Sequence, residues 1–430
     1  MTSPKDRRGG KSESSKIGEE NFKFDGSTLN KAHSNSFSFF REITNRPERK
    51  KMAANGAENN VAEQFKDALN QQELIRAQEL LESSSVPIDL EKDCGQSNTY
   101  LHTACMWKDP GMIRLLLEHG ANPFAINCRG SMAMHIIAEL GDVECLHVFW
   151  DFVTSDEEAK NKLDIDVENR DGKTALFIAC EENNPNCLRF LLEKGANPNV
   201  MSRFFSRTPL HCACEANYQD CAQLLLSHGA NVEMTNSRSE TCLAFLARTR
   251  KKWLNGDCFQ LLLRHGANPN QYVDSKPLMF WVCTSGSFTW KLNFRLLLRF
   301  GANINGTNEY GDTLLHFLCR HGKCPPGVMQ FVLEKGADPK RVNTEERSPL
   351  YFACGVGDLL TVKSLLEYGA NPVLPDKHGV TPLANAEHGN HADCVNAIQV
   401  YMDEKTSEEE EKEDVKEPSA KRARHSNDDE

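Results

Sequence analysis

The chain has 430 residues, of which 39% are hydrophobic, and it carries a formal net charge of −11. No stretch approaches the roughly 18–20 consecutive apolar residues that a membrane-spanning helix needs, and the N-terminus lacks the apolar core of a signal peptide. Sixteen cysteines in such a chain indicate reduced thiols rather than a disulfide framework. We therefore expect an intracellular protein that is neither secreted by the usual route nor inserted into a membrane.

The two ends of the chain differ in composition from its middle. Residues 1–55 contain 12 Lys/Arg and 7 Asp/Glu, whereas residues 403–430 contain 6 Lys/Arg and 12 Asp/Glu. Segments with few aliphatic residues and clustered like charges bury too little surface to offset the entropy lost on ordering. We predict a disordered basic head at 1–55 and a disordered acidic tail at 403–430. The folded middle is also acidic, which argues against direct nucleic-acid binding because phosphate contact needs a basic face.

The folded part begins with a predicted helical pair in residues 56–96, at Val61–Asn70 and Gln72–Leu81. Between residues 97 and 402 a tetrad similar to Thr-Pro-Leu-His occurs nine times, and most copies are followed by a Gly-Ala-Asn/Asp triplet. The tetrads start at Thr99, Met132, Thr174, Thr208, Thr241, Lys276, Thr313, Ser348 and Thr381. The triplets start at Gly120, Gly195, Gly229, Gly266, Gly301, Gly336 and Gly369.

Each motif has a mechanical reason. Thr or Ser at the first tetrad position can cap the N–H groups at a helix start, and Pro at the next position lacks the N–H that would stay unpaired there. Apolar residues at helical spacing precede each triplet, and its glycine can take the left-handed conformation that ends a helix. Each unit is therefore predicted to contain a helix, a turn, a second helix and a projecting hairpin.

This pattern resembles the ankyrin-repeat family, and the resemblance extends from Thr99 to Met402. It implies an all-α solenoid of helix-turn-helix units with projecting β-hairpins, in which each unit buries its apolar face against its neighbours. The pair at 56–96 then acts as an N-terminal cap. The family binds other proteins through hairpin tips and the concave helix face. Three units depart from the pattern, since Ser206, Ser239 and Glu346 stand where other hairpins have glycine.

The cysteines and histidines suit packing better than chemistry. Ten cysteines occupy two inward-facing repeat positions, and there is neither a Cys-x-x-Cys pair nor zinc-finger spacing. Four histidines share the fourth tetrad position, whereas a catalytic histidine would occur once. No nucleophile elbow, phosphate loop or His-Glu-x-x-His motif is present. We predict that the protein is not an enzyme and uses no metal and no cofactor.

Candidate partner-binding residues stand at the ends of the first helices, five or six positions after the tetrad leucine. They are Met106, Trp107, Glu181, Glu182 and Glu215. An exposed Trp107 would anchor a partner; the alternative is that its ring packs on the capping helices. Phe204 and Phe205 stand at one hairpin tip, where they either contact a partner or pack locally.

Unit 5 carries a basic cluster at the equivalent place, with Arg248, Arg250, Lys251 and Lys252 followed by Trp253. Because the preceding units have acids there, the sequence predicts that the groove changes sign at unit 5. One interpretation is that the cluster binds an acidic segment of a partner, with Trp253 as apolar anchor. The other is that these bases pair with adjacent acids or stay solvated, although exposed pairs contribute only ~0–1 kcal/mol each.

The tail contains a short basic run, Lys421, Arg422 and Arg424, that fits the nuclear-import pattern K-[KR]-x-[KR]. We expect the protein in nucleus and cytoplasm. The function we favour is a regulatory scaffold or adaptor, similar to the ankyrin-repeat inhibitors and cofactors of Rel-type transcription factors. The alternative is a substrate receptor of a ubiquitin ligase. Residues 403–430 are too short and polar for the hydrophobic box that such receptors usually append.

Overall fold

The computed structural model describes residues 58–83, 90–91, 97–204, 206–249, 257–284, 286, 289–321 and 327–414. By its internal contacts the chain divides into Met1–Asn59 and Asn60–Glu430. The predicted head, residues 1–55, lies outside the described residues.

Two helices precede the repeats, close to the pair predicted from the sequence. They are α1 (Glu58–Asn70) and α2 (Leu74–Ser83). Phe65 and Ala77 are fully buried, and the Phe65 ring meets the Tyr100 ring edge-on with centroids 5.1 Å apart. Because Tyr100 begins the first repeat, this pair covers apolar surface that the first unit would otherwise expose to water.

A pair of helices follows for each of the nine predicted repeats. The first helices of units 1–9 are α3 (Tyr100–Met106), α5 (Ala133–Leu140), α8 (Ala175–Glu181), α10 (Pro209–Ala216), α12 (Cys242–Arg248), α14 (Leu278–Thr284), α16 (Leu314–His321), α18 (Pro349–Val356) and α20 (Pro382–His388). The second helices are α4 (Pro110–Glu118), α6 (Val143–Ser155), α9 (Pro185–Glu193), α11 (Gln219–Ser227), α13 (Asp257–Arg264), α15 (Trp290–Arg299), α17 (Val328–Glu334), α19 (Leu359–Glu367) and α21 (Ala392–Asp414). Unit 2 contains an additional helix, α7 (Glu157–Lys162).

The helices form two rows that are held together by one core. Each first helix contacts the first helix of the next unit, and second helices pack similarly, as α9 does on α11 and α19 on α21. The residue four positions before each triplet glycine has no exposed surface. These residues are Leu116, Leu191, Leu225, Leu262, Leu297, Val332 and Leu365. Burying each of these side chains contributes ~1.5–3 kcal/mol to stability. The two rows of helices confirm the predicted fold, a stack of ankyrin-type units.

The first helices begin as the tetrad predicts. In six units the hydroxyl of the first tetrad residue accepts the N–H three residues later, for instance from Phe177 to Thr174 and from Ala384 to Thr381. Pro209, Pro349 and Pro382 occupy the first turn of their helices. These caps satisfy N–H groups that have no partner within the helix, which places each helix start at a fixed residue.

Hairpins connect the units, and in the described residues one of them contains a strand pair. Strand β1 (Tyr272–Val273) pairs antiparallel with β2 (Lys276–Pro277) around Asp274 and Ser275. Both turn residues have positive φ, at 49° and 58°. This is the conformation of a type I′ turn, whose twist matches that of paired strands.

The turns that lack glycine keep the glycine conformation. Ser206, Ser239 and Glu346 have φ values of 46°, 58° and 59°, close to the 73° of Gly311. The hydrogen bond that closes the Gly311 turn also closes two of these turns, from the Ser239 N–H to the Asn236 carbonyl and from the Glu346 N–H to the Asn343 carbonyl, both at 2.9 Å. A left-handed conformation costs a residue with a Cβ atom roughly 1–2 kcal/mol. The surrounding stack therefore imposes this turn on residues that do not favour it.

The tetrad histidines join neighbouring units. In His316, Nδ1 accepts the Thr313 N–H at 3.1 Å, and Nε2 lies 2.9 Å from the Arg347 carbonyl of the next unit. His102, His135 and His211 repeat both contacts. Since Nδ1 accepts and Nε2 donates, each ring is the neutral tautomer with its proton on Nε2. Each such histidine caps its own unit and holds the following hairpin.

The segment that follows residue 150 and lengthens unit 2 is helical. Helix α6 runs to Ser155, and the Asp156 carboxylate then accepts the Ala159 N–H at 2.9 Å to start α7. A local N-cap is sufficient to begin a helix. Unit 2 is therefore extended by helical structure, which explains the missing triplet there.

The last helix extends into the segment predicted to be a disordered tail. Helix α21 continues to Asp414, beyond the boundary placed at residue 403. Ile398 is buried, while Tyr401 and Met402 pack against the core. Glu and Lys dominate the sequence that follows, and both are strong helix formers, so the helix continues past the last packed residue. Residues 415–430 lie outside the described part of the chain.

We expect His316→Ala to lower the free energy of unfolding by ~1–3 kcal/mol, because the Arg347 carbonyl and the Thr313 N–H both lose a buried partner. His378 is the matched control, since its side chain is 67% exposed, and His378→Ala should change stability by less than ~0.5 kcal/mol. Urea unfolding followed by circular dichroism measures both variants. Equal losses would contradict the bridging role.

The tetrad histidines also make stability depend on pH. Burial lowers the pKa of His102, His135, His211 and His316, so they stay neutral in the folded state while the unfolded chain gains protons below about pH 6.5. The unfolded state then binds more protons, and the free energy of unfolding should fall as the pH drops from about 7.5 to about 5.5.

The double variant His102→Asn, His211→Asn should lose part of this dependence, because two of the four buried titrating rings are removed. Chemical unfolding at several pH values gives the slope for both proteins. A variant slope identical to that of the native chain would show that other groups cause the acid sensitivity.

Candidate protein-interaction surface

One pair of side chains recurs at the edge of several units. The residue before the helix N-cap, at the end of the hairpin, lies beside the residue eight positions later, at the end of the first helix. The charged pairs are Lys173–Glu181 (2.5 Å), Arg207–Glu215 (2.6 Å), Glu240–Arg248 (2.6 Å) and Asp312–Arg320 (3.2 Å). We call these two positions, taken through successive units, the hairpin–helix row.

The polarity of the hairpin–helix row reverses between units 4 and 5. In units 3 and 4 the base ends the hairpin and the acid ends the helix, whereas units 5 and 7 have the opposite order. The side chains of Glu240 and Asp312 are only 5% and 3% exposed, but those of Arg248 and Arg320 are 35% and 43% exposed. The later units therefore turn their cations toward solvent and keep the carboxylates inside.

The buried carboxylates have partners on both sides. Asp312 accepts from the Asn343 amide at 2.7 Å as well as from Arg320. Glu240 accepts from the Asn236 amide at 3.4 Å and from Arg248. An ionised carboxylate is costly to bury unless it is paired and hydrogen-bonded. These amides and guanidinium groups allow the acids to lie beneath the surface.

Aromatic rings accompany the exposed cations in units 5–8. Each cation lies over a ring of the following unit, within the range at which the ring quadrupole attracts it. The pairs, with the distance from cation to ring centroid, are Arg248–Trp281 (4.7 Å), Lys276–Phe317 (4.8 Å) and Arg320–Phe352 (4.4 Å). We call these six residues the cation–aromatic strip.

Three residues predicted from the sequence belong to the hairpin–helix row. Glu181 and Glu215 lie at the ends of the first helices of units 3 and 4, where they pair with Lys173 and Arg207. Arg248 ends the first helix of unit 5 and pairs with Glu240. Sequence reasoning missed that the hairpin residue changes sign together with the helix residue. The signal was available, because the hairpin residue always stands directly before the tetrad.

The predicted residues of unit 1 lie at a helix end. Met106 is half-buried, and its sulfur accepts the Asn98 amide at 3.9 Å. Trp107 caps α3 and remains 37% exposed. Glu182 occupies the same cap position in unit 3. Trp107 and Glu182 therefore occupy equivalent repeat positions, and Met106 stands one position before. They belong to units 1 and 3, which are separated by unit 2.

One predicted hairpin aromatic is exposed. Phe204 is 62% exposed, and the neighbouring Arg203 pairs with Glu168 of the preceding hairpin at 3.4 Å. Several predicted residues lie outside the described part of the chain. They are Phe205, Arg250, Lys251, Lys252, Trp253, Lys421, Arg422 and Arg424.

Five strip residues were not among the sequence candidates, namely Lys276, Trp281, Phe317, Arg320 and Phe352. A repeat-aligned signal does exist for the rings of Phe317 and Phe352, whereas Trp281 stands one position after the phenylalanine of its unit. The second residue after the tetrad leucine is phenylalanine in each of units 5–8, at Phe245, Phe280, Phe317 and Phe352. In units 1–4 the same position holds Thr103, Ile136, Ile178 and Cys212.

The cysteines are placed for packing. The ten that occupy the two repeat positions are buried. Desolvation raises the pKa of Cys187 and Cys354 to about 12, which keeps both as unreactive thiols. Among the described residues no three His, Cys, Asp or Glu side chains are grouped to hold a metal ion. Within the same residues no helix has the length and apolar character needed to cross a membrane.

Comparison with protein families identifies the repeats. The family model described as ankyrin repeats (3 copies) matches residues 101–202, 155–236, 243–343 and 325–406. A second model, ankyrin repeats (many copies), matches residues 210–263. Together these matches cover well over half of the chain.

Among curated proteins the chain is similar to the mouse B-cell lymphoma 3 protein homolog, at 34% identity over 136 residues, which are 32% of this chain and 29% of that protein. It is also similar to the human transient receptor potential cation channel subfamily A member 1, at 24% identity over 74% of this chain and 32% of the channel. The chain thus spans less than a third of these relatives' length.

A solved structure, the ankyrin repeat domain of Bcl-3, a member of the IkappaB protein family, is 26% identical. The matched region covers 59% of this chain and 92% of the solved chain, with a TM-score of 0.40.

We expect Arg320→Met to cost ~1–3 kcal/mol of stability, because the buried Asp312 carboxylate loses its charged partner. Lys160→Met provides the control, since Lys160 and Glu157 form a pair that is 51% and 78% exposed; that change should cost less than ~1 kcal/mol. Thermal and urea unfolding measure both. If Arg320→Met were as mild as the control, the burial of Asp312 would not depend on the ion pair.

Proposed function

Because the chain belongs to the ankyrin-repeat family, we propose that it is a regulatory scaffold that binds partner proteins through its first-helix ends and hairpins. A contrast between repeat positions carries this proposal. The buried position four residues before the triplet is leucine or valine throughout, whereas the helix-end position of the hairpin–helix row changes in chemistry from unit to unit. That position holds Met106, Glu139, Glu181, Glu215, Arg248, Cys283, Arg320 and Gly355.

A stack of identical cores needs no such variation, since each unit contacts only its neighbours. Surface residues that differ from unit to unit give a long face many distinct contacts, and a distinct set of contacts is what selects one partner over another. The proposal includes no catalytic step. The partner is proposed to carry an acidic segment, because the partly exposed Arg248 side chain favours carboxylates.

We place this scaffold in transcription regulation, in both nucleus and cytoplasm. The support is the similarity to the B-cell lymphoma 3 protein homolog and the resemblance of the repeats to inhibitors and cofactors of Rel-type factors. The basic run at Lys421, Arg422 and Arg424 supplies the import signal.

Affinity purification of the tagged full-length chain, followed by mass spectrometry, tests the scaffold. The variant Phe204→Ser removes an exposed aromatic from a hairpin tip. Leu360→Ser is the matched control, because Leu360 is 79% exposed on the second-helix row. We expect Phe204→Ser to lose at least one partner that Leu360→Ser retains, with both variants unfolding at nearly the native temperature.

Recovery of transcription proteins by the native chain supports the regulatory role. Recovery of ubiquitin-ligase subunits instead would replace it with a substrate-receptor function. If the native chain recovers no specific partner, the scaffold proposal itself is wrong.

Changing Lys421, Arg422 and Arg424 together to Ala should shift the protein toward the cytoplasm, because an import receptor reads exposed basic side chains. Fluorescence microscopy of tagged native and variant chains gives the nuclear fraction. Changing Lys405 and Lys412 to Ala is the control, since these lysines belong to the acidic part of the tail. An unchanged nuclear fraction in the triple variant would contradict the assignment of the import signal.

A further inference from the structure

The cation–aromatic strip is continuous across four units. Arg248 of unit 5 lies over Trp281 of unit 6, and Lys276 of unit 6 lies over Phe317 of unit 7. Arg320 of unit 7 then lies over Phe352 of unit 8. The rings of Trp281, Phe317 and Phe352 are half-buried, so each keeps part of its surface beside a cation. Positive charge and apolar surface therefore alternate along one edge of the stack.

The charge of Arg320 is not balanced at the surface, because its partner Asp312 is almost fully buried while 43% of the Arg320 side chain is exposed. Arg347 continues the pattern, since it is 29% exposed and pairs with Asp376, which is 1% exposed. Arg248 differs, since it pairs with the buried Glu240 and also with Asp274, whose side chain is 61% exposed. A solvent anion that approaches Arg320 or Arg347 therefore meets the cation before its carboxylate.

The guanidinium groups also keep donors for a second acceptor. Arg248 contacts Glu240 and Asp274 through Nη1, and Arg320 contacts Asp312 through Nη2. A guanidinium has five N–H donors in a fixed fork, so each side chain has more donors than the one terminal nitrogen that serves the internal pair. Lys276 has no carboxylate partner among the described residues, and its ammonium group lies over the rings of Trp281 and Phe317.

We propose that the cation–aromatic strip binds an extended, acidic segment of a partner protein. Its carboxylates would meet Arg248, Lys276 and Arg320, and the apolar side chains between them would lie on the exposed parts of the rings. This inference rests on the proposed scaffold function, for which it names the partner chemistry and the place where it binds.

The spacing of the strip suits an extended peptide. Neighbouring helices pack roughly 8–10 Å apart, and an extended chain advances ~3.3 Å per residue. One acidic residue at every third position therefore matches one cation per unit. Four units correspond to a segment of about ten to twelve residues.

The rest of the hairpin–helix row disfavours a long polyanion such as nucleic acid. Glu139, Glu181 and Glu215 end the first helices of units 2–4, in line with the strip. A nucleic acid that continued beyond unit 5 would meet these acids, whereas a short acidic segment ends before them. Charge complementarity is thus confined to the later units.

The test uses the full-length chain and two fluorescein-labelled peptides of twelve residues. The first has glutamate at every third position with valine and serine between, and the second has glutamine in place of glutamate. Fluorescence anisotropy at low and physiological salt measures binding. We expect the glutamate peptide to bind at least about tenfold more tightly than the glutamine peptide, because charge-assisted bonds to carboxylates are the stronger class. Added salt should weaken that binding.

The variant Lys276→Glu is the most direct probe, because it leaves no buried carboxylate unpaired. This variant should bind the glutamate peptide about tenfold or more weakly than the native chain does. Lys194→Glu is the matched control, since Lys194 also lies over two rings, Trp150 and Phe190, but follows a second helix. The double variant Arg320→Gln, Asp312→Asn removes a strip cation together with its buried acid, and it should also weaken binding.

Thermal unfolding confirms that each variant is folded. Equal binding of both peptides, or equal binding by native and Lys276→Glu chains, would overturn the inference. So would a twelve-nucleotide single-stranded DNA that binds more tightly than the glutamate peptide and displaces it. If the native chain recovers partners in the affinity purification but binds neither peptide, this inference fails while the scaffold function stands. If it binds the peptide but recovers no partner, the scaffold proposal fails instead.

Discussion

No unit of this protein can bury its own apolar face, and every other feature of the structure depends on that constraint. A helix pair has one apolar side, so it is stable only when a neighbour covers it. The leucines before the triplets are fully buried between units, and the tetrad histidines bridge to the following hairpin. The helices α1 and α2 cover the end of unit 1 for the same reason.

Because the core residues hold the stack together, the edge residues can vary without loss of the fold. The hairpin–helix row uses that freedom in two ways. In units 3 and 4, Lys173 and Arg207 pair with partly exposed glutamates. In the later units Glu240 and Asp312 are buried, and amides and guanidinium groups satisfy them. The same pair of positions therefore gives surfaces of different charge with little change in the number of charged groups.

The repeat, its helix caps and its left-handed turns were predictable because each signal lies within a single unit. The spacing from Thr208 to His211 specifies a cap, and a glycine such as Gly229 specifies a helix end, wherever the unit is placed. The extent of α21 was less predictable. Composition marks residues 403–414 as acidic, but the same residues favour helix once Ile398 and Met402 anchor the preceding turns.

The sequence by itself determined the number of units, the helix pair within each unit and the sign of each helix-end residue, since all of these follow from local spacing. Only the tertiary structure decided which charges reach solvent. Arg248 lies on a ring of the next unit, and the Asp312 carboxylate is buried beside Asn343 of the next hairpin. Exposure depends on neighbours that are distant in sequence and adjacent only after stacking, so no pattern within one unit reveals it.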